Sequence, residues 1–204
     1  MTTLGTAQST RTPSGMKVAR MSYAKIEQVA EGVRPLLPIK TGDGGGKWTI
    51  DAWQVLEKIL PRAGFQYYVA EVDELEECAA FTVPEQGLVV LREDVYDGLF
   101  LGNVFSRSTV IHELSHIVLK HAVMLHRGAI LGNHEFCEDS EWQAKALTAA
   151  IMMPIEACKA AHGAAELAQM CGTSQQAARY RVQKLTERQV LDPERFKNDL
   201  FGEF

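Results

Sequence analysis

The stretch that decides the reading is Val110-Ile111-His112-Glu113-Leu114-Ser115-His116-Ile117-Val118. Val110, Ile111, Leu114, Ile117 and Val118 recur at helical spacing, and Ala122 and Leu125 continue the pattern, so a largely buried helix is expected from about Arg107 to Leu125. Two histidines four residues apart project from the same side of such a helix, where both imidazoles reach one ion. A glutamate next to the first histidine then meets a water held on that ion. An apolar helix makes this placement costly without a partner: unpaired imidazoles and a carboxylate lose hydration on burial, and a divalent cation offsets that loss. His112 and His116 are thus candidate metal ligands and Glu113 a candidate general base.

A catalytic site of this type needs a third protein ligand and an open fourth position. The acids downstream are Glu135, Glu138, Asp139 and Glu141. Residues 127–140 lack periodicity, hold Gly128, Gly132 and Asn133, and read as a loop. Ser140 can cap a helix from Glu141 to Met153 that stops at Pro154. Glu141 therefore stands on a rigid mount and is the preferred third ligand.

Outward from these two helices, Tyr23 to Val33 forms a first helix ended by Pro35 and Pro38, and Ala52 to Leu60 a second, capped by Thr49 or Asp51. Phe65 to Val69 is aromatic and β-branched, and Ala79 to Val83 and Leu88 to Leu91 read as a hairpin across Pro84-Glu85-Gln86-Gly87. That hairpin is either scaffold or an edge for an extended substrate, since main-chain pairing holds a peptide straight. The glycine-rich run Thr41 to Lys47 resembles a phosphate loop only loosely, because Trp48 follows the lysine. Ala164 to Met170 and Gln175 to Thr186 outline a helix-turn-helix around Cys171-Gly172-Thr173-Ser174. Arg179, Arg181, Lys184 and Arg188 stand there against Glu166 and Glu187, a modest surplus that suits a solvated helix face or a protein-docking surface better than DNA. The last stretch, Leu191 to Phe204, reads as a loosely packed end.

The chain has 204 residues and a formal charge of −5, with 46% hydrophobic and 23% charged residues. This supports a packed α+β fold and excludes disorder and a nucleic-acid-coating protein. No apolar stretch approaches the ~18–20 residues of a membrane helix. Four cysteines without a C-x-x-C pair point to reduced thiols in the cytoplasm, Cys137 included. Residues 1–21 are expected to be a flexible tail, 22–160 the main domain and 161–204 a helical C-terminal region.

His112 to His116, followed by Glu141-Trp142-Gln143-Ala144 and then Ala149-Ala150-Ile151-Met152-Met153-Pro154, resembles the ImmA/IrrE group of bacterial and phage metallopeptidases. Arg107 and Thr109 match the approach to the first motif. The resemblance spans about Trp48 to Leu185. It implies a zincin-like fold, a Zn2+ ion on His112, His116 and Glu141, and cytoplasmic cleavage of a partner transcriptional repressor in stress response or mobile-element control. Ser115 stands where the family often has Gly, and Lys145 where it usually has Asn or Asp. The competing class is a DNA-binding or protein-binding regulator with a structural or inactive zinc site. An aminopeptidase is disfavoured because nothing marks a site for a substrate's amine.

Overall fold

The computed structural model describes residues 13–40, 46–121, 134–197 and 199, and it is an α+β protein. The glycine-rich run at 41–45, the expected helical positions Ala122 and Leu125, the loop at 127–133 and residues 1–12 and 200–204 lie outside the described residues.

Helix α1 (Tyr23–Val33) starts at Ser22, whose hydroxyl accepts from Lys25 N. Asp51 caps α2 (Ala52–Gln54), which runs through a π-turn (Val55–Ile59) into α3 (Leu60–Arg62) and so carries the helix past the expected end at Leu60. Strands β1 (Gln66–Ala70), β2 (Ala80–Val83) and β3 (Leu88–Arg92) form one sheet in the order β1-β3-β2. β2 and β3 are the expected antiparallel hairpin, with Phe81 opposite Val90, while β1 joins β3 in parallel. β2 is therefore an edge strand.

Helices α4 (Glu93–Phe100) and α5 (Val104–Val118) follow. α5 begins three residues before the expected Arg107, because Asn103 accepts from the amides of Phe105 and Ser106. It also stops earlier, as Lys120 takes a left-handed conformation, φ 53°. α6 (Ser140–Met152) is capped by Asp139 rather than Ser140; the Asp139 carboxylate accepts from Trp142 N. The remaining helices are α7 (Ile155–Ala160), α8 (Ala164–Cys171) and α9 (Gln175–Glu187). Among the described residues no helix is long and apolar enough to cross a membrane.

One apolar cluster joins α1, the π-turn after α2, α3, β3, α5 and α6 through Ile26, Leu56, Leu60, Leu91, Ile111, Leu147 and Ile151, all buried. A second begins at Met153 and holds α7, α8 and α9 together through Leu167, Val182 and Leu185. Leu191 and Phe196 are buried in this second cluster, so the chain after α9 is packed as far as Phe196, where composition suggested a loose end. An aromatic ring alone contributes enough apolar surface to seat that turn.

Two polar links fasten the second cluster to the first. Arg181, 4% exposed at its side chain, forms a two-pronged ion pair with Glu27 of α1 at 2.5 and 2.9 Å, and its Nε donates to the carbonyl of Met153. Arg107 of α5, also buried, donates to the carbonyl of Gly172 at 2.6 Å. Gly172 has φ 64°, and a Cβ there would stand 2.9 Å from Thr49 and 3.0 Å from Arg107, so both the turn and the contact require glycine.

Residues 13–21, assigned by composition to the tail, form a strap along the start of α6. Val18 N donates to Glu138 O, Met21 N to Cys137 O, and Ser140 N to Met16 O. The fit is close enough that a Cβ on Gly15 would lie 2.6 Å from the amide nitrogen of Glu141.

Removing one member of a buried ion pair strands the other charge. Glu27→Ala is expected to lower stability by about 3–5 kcal/mol in urea unfolding, and the paired change Glu27→Leu with Arg181→Met to cost less than Glu27→Ala alone.

Candidate metal centre

α5 presents His112 and His116 one turn apart, and the first turn of α6 presents Glu141 between them. His112 Nε2 and His116 Nε2 are 3.2 Å apart. Glu141 Oε2 lies 3.3 Å from His112 Nε2, and Oε1 lies 3.2 Å from His116 Nε2. A tetrahedral ion with ligand bonds of about 2.0–2.1 Å separates neighbouring donors by about 3.3–3.4 Å. The three donors therefore stand at the corners of a coordination polyhedron, and the set of two imidazoles and one carboxylate fits a divalent cation. The three expected ligands come together, and the residues fit a metal ion.

The centre is partly open. His112 and His116 keep 21% and 15% of their side-chain surface and Glu141 keeps 33%, so one side is left for water or substrate. The imidazoles of His112 and then His116 beside it hold the Glu141 carboxyl well below the usual carboxylate range. Their effect exceeds that of its burial, so Glu141 is an anion.

Glu113 is buried, and one of its carboxylate oxygens reaches the sheet. Thr82 of β2, also buried, donates its hydroxyl to Glu113 Oε2 at 2.7 Å. Thr82 thus holds one carboxylate oxygen and leaves Oε1 for other work. Burial pushes the thiol of Cys78 up, with Glu113 adding to the effect, so this neighbour is a protonated bystander.

Ser115 is fully buried where α5 crosses α6. Its hydroxyl donates to Ile111 O at 2.7 Å and lies 3.1 Å from the hydroxyl of Thr148. Ser115 therefore adds a polar tie between the two helices that carry the candidate ligands.

No protein-family model matches this chain, and no curated protein matches it.

Behind the ligands, His121 stacks edge-on against His116 and reaches Gln143 on α6. Burial pulls its pKa below the ordinary imidazole value. Spacing does not single out His121, which stands past the end of α5, nor Gln143, nor Thr82 on a separate strand. Of the other acids weighed as ligands, Asp139 serves as the cap of α6, with its carboxylate also accepting from Gly15 N and His134. Glu135 pairs with Arg20 and Glu138 with Lys17.

Lys145, one turn beyond Glu141, places its ammonium 3.8 Å from Glu141 Oε2. A cation there competes with a bound ion for the carboxylate, but the lysine side chain is 66% exposed, so water and salt screen it. Lys145→Ala is expected to tighten zinc binding about two- to fivefold, from an exposed-pair interaction of ~0.5–1 kcal/mol, in chelator competition at low salt. The gain should shrink as salt is raised.

Proposed function

We propose that this protein is a zinc-dependent endopeptidase with a zincin-like core that cleaves a partner transcriptional repressor. The observation that carries the reading is the convergence of His112, His116 and Glu141 from two helices, with all ligand atoms within 4.8 Å of one another. Two imidazoles and a carboxylate with one side open suit zinc in a catalytic rather than a closed structural role. The repressor as substrate class rests on the resemblance of the two spaced motifs.

A bound zinc ion supplies Lewis acidity to a water and to the scissile carbonyl. Glu113 is the proton carrier. With Oε2 held by Thr82, its Oε1 accepts the proton of the attacking water and returns it to the nitrogen of the leaving amine. The edge of β2, unpaired among the described residues, supports the same reading, because an extended peptide added there continues the sheet beside Thr82 and Glu113.

A regulator with an inactive metal site is the second reading, and Lys145 beside Glu141 is the observation that favours it. Its DNA-binding form has little support. Arg181 is buried on Glu27, Arg188 lies 3.3 Å from the centre of the Tyr23 ring, and Lys184 pairs with Glu187. Three of the four cations that gave the C-terminal helices their surplus are thus engaged within the protein, and phosphate contacts depend on free ones. A face that docks the repressor suits this balance better.

The deciding experiment mixes the zinc-loaded protein with the repressor encoded beside its gene. One discrete cut is expected, and Glu113→Gln should slow it by at least about 100-fold while leaving zinc stoichiometry unchanged. No cut by the unsubstituted protein, with Glu113→Gln equally competent in the cell, would favour the regulator.

A further inference from the structure

The hydrogen bonds behind the metal centre can be assigned one at a time, starting from Gln143. Its Nε2 lies 2.8 Å from two backbone carbonyls, those of Ala19 in the strap and Cys137. A carbonyl only accepts, so the amide nitrogen faces this pair and Oε1 faces the other way. Oε1 is 3.1 Å from His121 Nε2. An amide oxygen also only accepts, so the hydrogen between them belongs to the imidazole.

With that hydrogen on Nε2, the lone pair of His121 is on Nδ1, which stands 3.1 Å from His116 Nδ1. The contact needs one hydrogen, and His116 supplies it. His116 then has its lone pair on Nε2, the atom facing His112 and Glu141. The opposite arrangement, with His121 donating from Nδ1, would place the hydrogen of a neutral His116 on Nε2, in the middle of the three metal donors.

We infer that His121 and Gln143 are positioning residues for the metal centre: they orient the His116 ring and keep its Nε2 lone pair directed at the ion. An imidazole thereby takes the place that a carboxylate or carbonyl usually fills behind a metal-bound histidine. The chain of donors ends in the strap, because the carbonyls of Ala19 and Cys137 are what turn the Gln143 amide. Cys137 O also accepts from Met21 N, which fastens the strap at the same point. This inference rests on the metal-binding part of the proposed function and is independent of which peptide, if any, is cut.

The test uses the full-length protein and zinc alone. Affinity is measured by competition with a colorimetric chelator for the unsubstituted protein, His121→Ala, Gln143→Leu and His121→Asn. The first two variants should bind zinc about 10- to 100-fold more weakly. His121→Asn, whose side-chain oxygen can accept from His116 Nδ1, should regain most of the loss. Long-range 1H–15N correlation on the zinc-loaded, unsubstituted protein should show the His121 hydrogen on Nε2 and none on Nδ1, a signature that general packing around His121 does not produce. Gln143→Leu should relax that preference.

Affinities of both His121→Ala and Gln143→Leu within threefold of the unsubstituted protein overturn the inference, and so does a hydrogen on His121 Nδ1. The spectrum of the unsubstituted chain decides the matter even where a variant fails to fold. Failure of the unsubstituted protein to take up zinc sinks the metal reading as a whole, whereas zinc uptake with the wrong His121 tautomer sinks this inference alone.

Discussion

Everything at the centre depends on how α5 sits against α6, because the three metal donors are divided between them. Two ligands on one helix keep their spacing through the backbone alone. The third has no such guarantee: a slip of even half an ångström between the helices takes Glu141 out of the 3.2–3.3 Å range that joins it to both imidazoles. The interface carries several kinds of constraint. Ile111, Leu114, Leu147 and Ile151 supply the apolar contact, Ser115 and Thr148 a buried polar tie, and His121 and Gln143 a second one close to the ligands. Apolar packing is non-directional and sets the distance between helices; hydrogen bonds are directional and fix the register.

The strap and the C-terminal helices act on this same interface from outside. Residues 13–21 bond to the backbone and to the capping residue at the start of α6, where Glu141 stands, and Asp139 gathers donors from Trp142, Gly15 and His134. From the other end, Arg107 near the start of α5 holds the turn between α8 and α9, and Arg181 of α9 holds α1. The helix-turn-helix outline is therefore built into the body of the protein. Its basic residues serve mainly as fasteners, which is why their number overstates the free positive charge of that face.

The candidate metal ligands were legible in the sequence because local periodicity carries them. His112 and His116 lie on a single helix, and Glu141 lies on a rigid first turn, so spacing and capping signals suffice. The antiparallel hairpin followed from its turn residues for the same reason. The parallel partnership of β1 with β3, by contrast, joins segments across an intervening strand, and no local pattern encodes it. Helix ends shifted where a side chain made a bond that composition does not foresee: Asn103 extended α5 backward, and Asp139 rather than Ser140 capped α6. Thr82, His121 and Gln143 were missed because each works through contacts across the fold. The strap was hidden for a related reason, since its bonds come from backbone groups and leave little trace in composition.

Those missed residues divide the site into two parts with separate supports. The metal donors depend on α5, α6 and the strap, through His121 and Gln143. Glu113 projects from the same helix toward the sheet, and its support is Thr82 on the edge strand β2. Under the proposed function, a disturbance of the sheet edge alters how Glu113 handles a proton while the candidate metal donors keep their places, and a disturbance of the strap loosens the donors while Glu113 keeps its hydrogen bond. Under the proposed function, a peptide added to β2 would lie against Thr82, the residue that holds Glu113. Substrate alignment and proton handling would then share one strand, with the candidate metal donors supported elsewhere.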